Sequence, residues 1–410
     1  MRSRPCTAFL SVLALVSQAR AQAPPTVLPP AVPAPTATPP TAEPWWVAVP
    51  YGDDRAWAEA DFLLWWMKSV SLPPLVTASP PGTPIAQAGV LGTPGTTVVF
   101  GDSKVNDDLR AGGRVAVGFW FDDAHWHGVE ADFFMLEAKD TSFKATSNGN
   151  PILARPFINA NNSLPSSERI AFPGDIVGSV QASGSTPGLL GAGFLLRENI
   201  AAANGFRLDV LGGYRYLHLS DRVAVAEQVT NVNPNNPNFV PLGANIAVAD
   251  SFDSRNELHA LDFGLDGSWQ DGPLILAVRA RVAVGLNEQV VDVSGATSVT
   301  APGAPAAFHT GGLLALSGNL GDHSRHEVSV VPELDVKLGY QITPRLTASL
   351  GYGYLFWSHV VRAGDQIDTT INPALIPPAT NVTGPNRPLF GFQSSSFWAQ
   401  GFELGLELHF

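Results

Sequence analysis

Ten segments of this sequence alternate apolar with polar residues, and the connections between them are by turns long and short. Period-two alternation puts successive side chains on opposite faces of the chain and is typical of a half-buried β-strand. The segments are 57–68, 110–121, 126–137, 188–200, 206–221, 261–269, 274–287, 328–342, 346–357 and 397–410. The long connections are 69–109, 138–187, 222–252, 288–325 and 358–396, and the short ones are 122–125, 201–205, 270–273 and 343–345.

The regular change of connection length separates two kinds of β protein. A soluble β-sandwich also shows alternating strands, but nothing in its architecture makes every second connection long. Outer-membrane barrels combine short periplasmic turns, long extracellular loops and membrane-spanning strands of roughly 9–11 residues. Strands that cross hydrocarbon close into a barrel because every backbone polar group must find a partner within the protein. The sequence therefore predicts an all-β fold, a transmembrane antiparallel up-and-down β-barrel of about ten strands, or twelve if a loop contains a hairpin.

The two faces of these segments predict which side chains meet lipid and which line the lumen. In segment 274–287, an apolar row from Leu274 to Leu286 occupies one face, while Arg279 and Arg281 lie on the other. A charge on the lipid face near the bilayer midplane costs roughly 2–4 kcal/mol, so the charged face is expected to be the lumen. This parity predicts the following lumen-facing charges: Glu59, Asp61, Arg114, Glu130, Asp132, Arg207, Asp209, Arg215, Asp262, Asp266, Arg279, Arg281, Glu333, Asp335, Lys337, Glu403 and Glu407.

The last segment carries an apolar row that ends at the final residue of the sequence. Such a row, closing on an aromatic side chain, resembles the signal that the outer-membrane insertion machinery reads. With Phe410 on the periplasmic side, every short connection falls in the periplasm and every long one outside. The residues predicted to form this insertion signal are Phe402, Leu404, Leu406, Leu408 and Phe410.

The first fifty residues predict export from the cytoplasm. Arg2 and Arg4 precede a short apolar run, and small residues of a cleavage site follow that run. Residues 1–21 are therefore predicted to be a signal peptide. Residues 22–50 are rich in proline and are predicted to be a disordered linker. Residues 51–410 then form the barrel, and the predicted location is the bacterial outer membrane.

Composition excludes several classes of function. The chain has 36 acidic against 24 basic residues and a formal net charge of −12, which gives it no electrostatic reason to bind nucleic acid. Its single cysteine, Cys6, lies in the predicted signal peptide, so no disulfide is expected after cleavage. The expected partners are outer-membrane lipid, lipopolysaccharide and the insertion machinery. The sequence does not indicate an oligomeric state.

We find no catalytic, cofactor-binding or metal-binding pattern, and the sequence predicts that the protein is not an enzyme. Two groups at predicted strand ends nevertheless leave an outer-membrane surface hydrolase, a protease or lipid-modifying enzyme, as an alternative. His359 shares a connection with Asp365 and Asp368, and His218 lies close to Asp221. A secreted β-sandwich adhesin is the second alternative.

Several stretches resemble the beta-barrel porin-7 family of outer-membrane proteins, and together they span most of the chain from residue 57 to the end. The resemblance implies an outer-membrane location and pore formation, with no known substrate. Segment 188–200 departs from the expected regular strand and leaves the fourth strand in doubt. The stretches are AEADFLLWWMK at 58–68, LGTPGTTVVFG at 91–101, GGRVAVGFWFD at 112–122, GVEADFFML at 128–136, RLDVLGGYRYLHLSD at 207–221, VVPELDVKLGYQIT at 330–343, GYGYLFWSHVVRAGDQID at 351–368 and FWAQGFELGLELHF at 397–410.

The predicted lumen allows two functions within a structural or porin-like role. A ten-stranded barrel is narrow, so salt bridges and water are expected to fill much of its lumen and hold it rigid. The alternative is a small, mildly cation-preferring pore, because acidic side chains outnumber basic ones there. The aromatic residues predict interfacial girdles, since eight tryptophans lie near segment ends. They are Trp57, Trp65, Trp66, Trp120, Trp126, Trp269, Trp357 and Trp398.

Overall fold

A computed structural model describes residues 54–235, 241–378 and 383–410, so the predicted signal peptide and linker lie outside the described residues. Ten antiparallel strands form a closed ring, in which each strand pairs with the next and the last pairs with the first. They are β1 (Ala56–Met67), β2 (Arg110–Trp120), β3 (His127–Leu136), β4 (Ile176–Ala203), β5 (Phe206–Asn231), β6 (Asn245–Asp271), β7 (Leu274–Thr300), β8 (Gly321–Thr343), β9 (Leu346–Val361) and β10 (Ser394–His409).

The ring confirms the predicted all-β barrel of ten strands and excludes the β-sandwich. Two further strands extend the same sheet outside the ring: Lys139–Ser147 pairs with β4, and Ala307–Thr310 pairs with β7. Within the described residues, no helix has the length and apolar character required to cross a membrane.

Tight turns join the strands at one end of the ring. Asn204 and Gly205 alone separate β4 from β5, and both have positive φ, 50° and 80°. Left-handed conformation at both central residues is the geometry of a type I′ hairpin, which Asn-Gly favours strongly. Two residues also join β6 to β7 and β8 to β9. The predicted short connections are therefore turns at a common end.

Strands β4 to β7 are 26–28 residues long, far longer than the predicted segments. Their polarity inverts part of the way along. In β7 the outward residues are apolar from Leu274 to Leu286, whereas Asp292 and Ser294 face outward beyond them. Inward-facing Val291 and Val293 are buried at the same level. The sequence analysis missed these extensions because it followed the outward apolar row. In β7 this row ends at Leu286, whereas the strand continues to Thr300.

The fourth strand confirms the location of segment 188–200, whose pattern is irregular because the inward-facing residues Leu189 and Leu195 are apolar. A bulge between Ser185 and Gly188 shifts the register of β4 against β5. Gly188 has a φ of 124°, and a Cβ there would lie 2.5 Å from the carbonyl oxygen of Leu136, so glycine is required. The bulge exchanges the inward and outward positions, so one alternation cannot run through the strand.

An apolar belt surrounds the half of the ring nearest the short turns. Its residues point outward from all ten strands and are exposed. They include Phe62, Val115, Val117, Phe133, Met135, Phe194, Leu196, Val210, Leu261, Phe263, Leu265, Leu276, Val282, Leu286, Leu334, Val336, Leu350, Tyr352, Phe402, Leu404 and Leu406.

The long connections are structured at the other end of the ring. Three of them build a small sheet, which we name the cap: Leu164–Ala171, Ile152–Asn159, Val76–Ser79, Thr97–Phe100 and Thr370–Ile371. The cap packs through an apolar core against the inward face of the extended strands. Smaller elements complete these connections: paired strands Val70–Leu72 and Ser103–Val105, and the 3₁₀ turns Ile85–Gln87, Ala363–Gln366 and Pro373–Leu375.

Candidate functional site in the barrel interior

The inward face of the belt half of the ring carries the predicted lumen charges. The alternation of each strand turns them away from the apolar belt, and most are buried. They fall into two clusters stacked along the barrel axis, which we name the central cluster and the turn-side cluster. Glu407 lies apart, paired with His409 at the end where the short turns lie.

Glu333 on β8 is the hub of the central cluster. Its carboxylate accepts hydrogen bonds from Arg215 at 2.7 Å, from Arg281 at 3.0 Å and from Arg114 at 3.4 Å. Those arginines come from β5, β7 and β2, so one carboxylate joins four strands across the lumen. Its side chain is 3% exposed.

The other members of the central cluster complete this network. Asp132 accepts from Arg281 at 3.0 Å, and Arg114 donates to Asp335 at 3.3 Å. Lys337 donates to Glu59 at 2.6 Å and to Asp61 at 2.7 Å. The cluster contains Glu59, Asp61, Arg114, Asp132, Arg215, Asp262, Arg281, Glu333, Asp335, Lys337 and Glu403.

Arg197 on β4 organises the turn-side cluster, and the sequence analysis missed it. It pairs with Asp209 at 2.9 Å, with Asp266 at 2.7 Å and with Glu130. Arg197 lies in the doubtful fourth segment. Its neighbour Leu196 faces outward, so the alternation of the strand places Arg197 on the inward face and could have identified it. The cluster brings together Glu130, Arg197, Arg207, Asp209, Asp266 and Arg279.

Aromatic rings support the guanidinium groups of the turn-side cluster. Arg207 lies 4.4 Å from the ring centroid of Trp120, and Arg197 lies 5.6 Å from that of Trp57. A guanidinium over an indole face is stabilised by the ring quadrupole. Trp57 and Trp120 therefore face the lumen, and the prediction that they belong to an interfacial girdle is wrong.

An apolar layer fills the barrel between the central cluster and the cap. Trp65 and Trp357 lie in this layer and are fully buried, so they too are absent from the predicted girdle. The sequence analysis expected charge and water along the lumen, yet the inward face turns apolar at this level. The layer consists of Leu63, Trp65, Met67, Phe134, Leu136, Leu189, Leu217, Leu219, Leu258, Ala260, Ala283, Val331, Leu355, Trp357, Val360, Phe397 and Ala399.

Above the apolar layer, the end of β9 crosses the mouth of the ring. Asn256 exchanges two hydrogen bonds of 2.8 Å with the backbone of Val361. Arg362 pairs with Asp221, and both side chains are buried. These contacts tie the connection after β9 to β5 and β6.

The interior contains a cavity of about 260 Å³ on the side of the short turns. Its wall includes side chains of both clusters together with Gln270, Gln341 and Thr347. The central cluster and the apolar layer lie between this cavity and the cap. The charged side chains of the two clusters form ion pairs with one another. This arrangement suits a rigid barrel interior.

The groups considered for a hydrolase are not assembled into one site. Asp221 is held by Arg362, and Asp368 by Arg387 at 3.0 Å. His218 lies 3.6 Å from Glu257 on the outward face. Across the described residues, no group of three histidine, cysteine or carboxylate side chains has the geometry to hold a metal ion.

The solved structures that are similar to this chain include a protease, a channel and a further outer membrane protein. The outer membrane protease OmpT from Escherichia coli is similar over 87% of this chain and 97% of its own, at 10% identity and a TM-score of 0.41. A deletion mutant of TodX, a monoaromatic hydrocarbon channel and P. putida toluene transporter, covers 88% and 91%, at 8% identity and 0.21. The Vibrio cholerae outer membrane protein OmpT covers 87% and 96%, at 9% identity and 0.15.

The prediction that the protein is not an enzyme is corrected by the first of these comparisons. It rested on the absence of familiar catalytic patterns, and a protease shares the barrel architecture over most of both chains. At this level of identity the likeness concerns the fold alone and assigns no reaction to this chain.

The family comparison covers the whole ring. The comparison with curated proteins gave no match. The family model for the beta barrel porin-7 proteins (BBP7) matches residues 57–410, from the first strand of the ring to its last. The chain therefore belongs to the beta barrel porin-7 family, whose members are porin-like β-barrels of the bacterial outer membrane.

Proposed function

We propose that this protein is a structural barrel with a closed lumen, which anchors its folded cap at the outer surface of the membrane. One observation carries the proposal: an apolar layer of fully buried side chains, centred on Trp65 and Trp357, fills the ring. Ions would have to shed their water to pass such a layer. The central cluster beneath it adds a second barrier of paired charges.

The orientation of the barrel follows from its two ends. Short turns are typical of the periplasmic side of outer-membrane barrels, and long connections of the extracellular side. This orientation supports a cap that faces the exterior and a cavity that opens toward the periplasm. We include in the proposal the signal peptide at residues 1–21 and the linker at 22–50.

Three partners belong to the proposal. Outer-membrane lipid would contact the apolar belt, and lipopolysaccharide would surround the extended outward faces of β4 to β7. The insertion machinery would read the apolar row that ends at Phe410. The exposed side chains of this row, including Leu406 and Phe410, support both roles.

An arginine in the apolar belt is expected to impair assembly. Val282 faces outward within the belt on β7, and Val282→Arg should cost about 2–4 kcal/mol in the membrane. The measure is the fraction of heat-modifiable, folded barrel in outer-membrane preparations. Ser294→Arg provides the matched control, because Ser294 has the same outward direction on the same strand beyond the belt. Equal loss in both variants would contradict the proposed position of the lipid.

Purified protein in planar bilayers tests whether the lumen is closed. The wild type is expected to show no stable conductance steps. A double variant, Trp65→Ala with Trp357→Ala, removes the two largest side chains of the apolar layer and should produce small, stable steps. Trp66→Ala is the control, because Trp66 faces outward beside Trp65 and contacts Phe402.

Two results would contradict the closed lumen. Stable conductance of the wild type would favour the small pore instead. A silent double variant that remains folded would show that the apolar layer alone does not close the lumen.

A further inference from the structure

Four ionisable side chains meet where the cap contacts the extended strands: buried Arg155, Glu227 and Asp250, and half-buried Glu168. Arg155 and Glu168 come from adjacent cap strands and pair directly across the sheet. Glu227 comes from β5 and Asp250 from β6. We name these four residues the Arg155 quartet. Glu227 and Asp250 lie beyond the apolar belt, on the strand extensions that the sequence analysis missed.

Asp250 is the member of the quartet that forms the close ion pair with Arg155. Its Oδ2 lies 2.6 Å from Nη2 of Arg155. Its carboxylate also accepts backbone N–H groups, from Leu314 at 3.1 Å and from Ala315 at 2.9 Å. Asp250 therefore neutralises the single cation of the quartet.

Within the quartet, Glu227 and Glu168 have no cation other than Arg155, which already pairs with Asp250. Both carboxyl oxygens of Glu227 and Oε2 of Glu168 are buried and accept no hydrogen bond within the described residues. The ionisable groups that face Glu227 are Arg155, Glu168 and Asp250. The Oε2 atom of Glu227 lies 4.0 Å from Nε of Arg155. Burial raises the pKa of Glu227 to about 8 despite the opposing effect of Arg155, and burial likewise raises the pKa of Glu168.

We propose that the Arg155 quartet is an acid-strengthened latch, which seats the cap on the barrel while Glu227 and Glu168 are neutral and loosens when they ionise. Because the pKa of Glu227 is higher in the folded protein than its ordinary value of 4.5, the stabilisation is complete below about pH 4.5. It is lost progressively as the pH rises toward 8.

Loosening the latch would change the surface that the protein presents. The inward faces of the extended strands carry Val223, Val225, Phe252 and Val291, which pack against cap residues such as Leu153. A lifted cap would expose this apolar surface above the membrane. The latch thus couples the pH of the surroundings to the exposure of this apolar face.

Hydrogen exchange of the full-length protein in detergent micelles tests the latch. Exchange of amides in the cap strands 152–159 and 164–171 is compared with exchange in β10 between pH 5 and pH 8.5, after correction for intrinsic rates. The cap-to-barrel ratio of the wild type is expected to rise at least about tenfold, the effect of one unit of pKa difference. Glu227→Gln should keep the ratio low across the range.

Two further variants complete the experiment. Glu168→Gln should remove part of the pH dependence and serves as the test if Glu227→Gln does not fold. Glu257→Gln, on the outward face of β6, should behave as the wild type. A wild-type ratio that does not change with pH would overturn the latch, as would a full pH dependence retained in folded Glu227→Gln.

Discussion

Replacing Glu333 by glutamine is expected to lower the free energy of unfolding of the barrel by about 3–5 kcal/mol, the usual cost of removing one partner from a buried ion pair. The substitution keeps the approximate volume of the side chain, removes its charge and replaces one acceptor oxygen by an amide donor. Arg114, Arg215 and Arg281 would then lose the one carboxylate that pairs with all three of them. Four strands meet at this carboxylate, so its loss should weaken the whole ring.

Urea unfolding of the barrel refolded in lipid vesicles measures this effect through tryptophan fluorescence. Glu327→Gln is the matched control, because Glu327 faces inward on the same strand but contacts Arg325 at 3.7 Å in a more exposed position. An exposed pair contributes roughly 0–1 kcal/mol, so the control should unfold close to the wild-type midpoint. Equal midpoints for all three proteins would show that the central cluster does not stabilise the barrel.

Deleting Phe410 is expected to remove most of the folded barrel from the outer membrane. The backbone N–H of Phe410 donates to Ala56 at 2.8 Å, and its carbonyl accepts from Ala56 at 2.9 Å. These bonds lie at the seam where the last strand meets the first. Each backbone group left unpaired costs roughly 1–3 kcal/mol. The deletion also removes the aromatic end of the proposed insertion signal.

Phe410→Ala separates these two contributions. It retains both backbone hydrogen bonds and removes only the exposed ring. We expect it to refold in detergent like the wild type and to yield less heat-modifiable barrel in cells. The deletion should fail in both settings. Normal amounts of folded deletion protein in cells would contradict the proposed role of Phe410.

The ring was predictable from sequence because hydrocarbon and lumen impose opposite polarity on successive residues. Segment 274–287 shows this most clearly, with Val282 outside and Arg281 inside. The alternation of apolar and polar residues stops predicting the strand where the strand leaves the hydrocarbon. Beyond Leu286 the outward face leaves the hydrocarbon, so outward residues turn polar while β7 continues to Thr300.

The interior was predictable in part. Parity pointed to charges such as Glu333 and Arg114, but their distances depend on which strands the ring brings opposite each other. Arg197 was missed because Leu189 and Leu195 on the same inward face are apolar, so the segment shows no clear contrast between its two faces. The apolar layer was missed because inward apolar residues such as Trp65 look, in sequence, like residues of an interfacial girdle. The cap depends on contacts between distant connections, which no local pattern encodes.

The inversion of polarity along β4 to β7 has a mechanical consequence. A load that pulled the cap outward would draw residues such as Leu286 and Leu261 into water, at roughly 1.5–3 kcal/mol for each large side chain. A push in the other direction would force outward-facing groups such as Glu288 and Arg255 into hydrocarbon. Several strands would resist either displacement together. The barrel is therefore held at one depth, and tension on the cap is borne by the membrane around it.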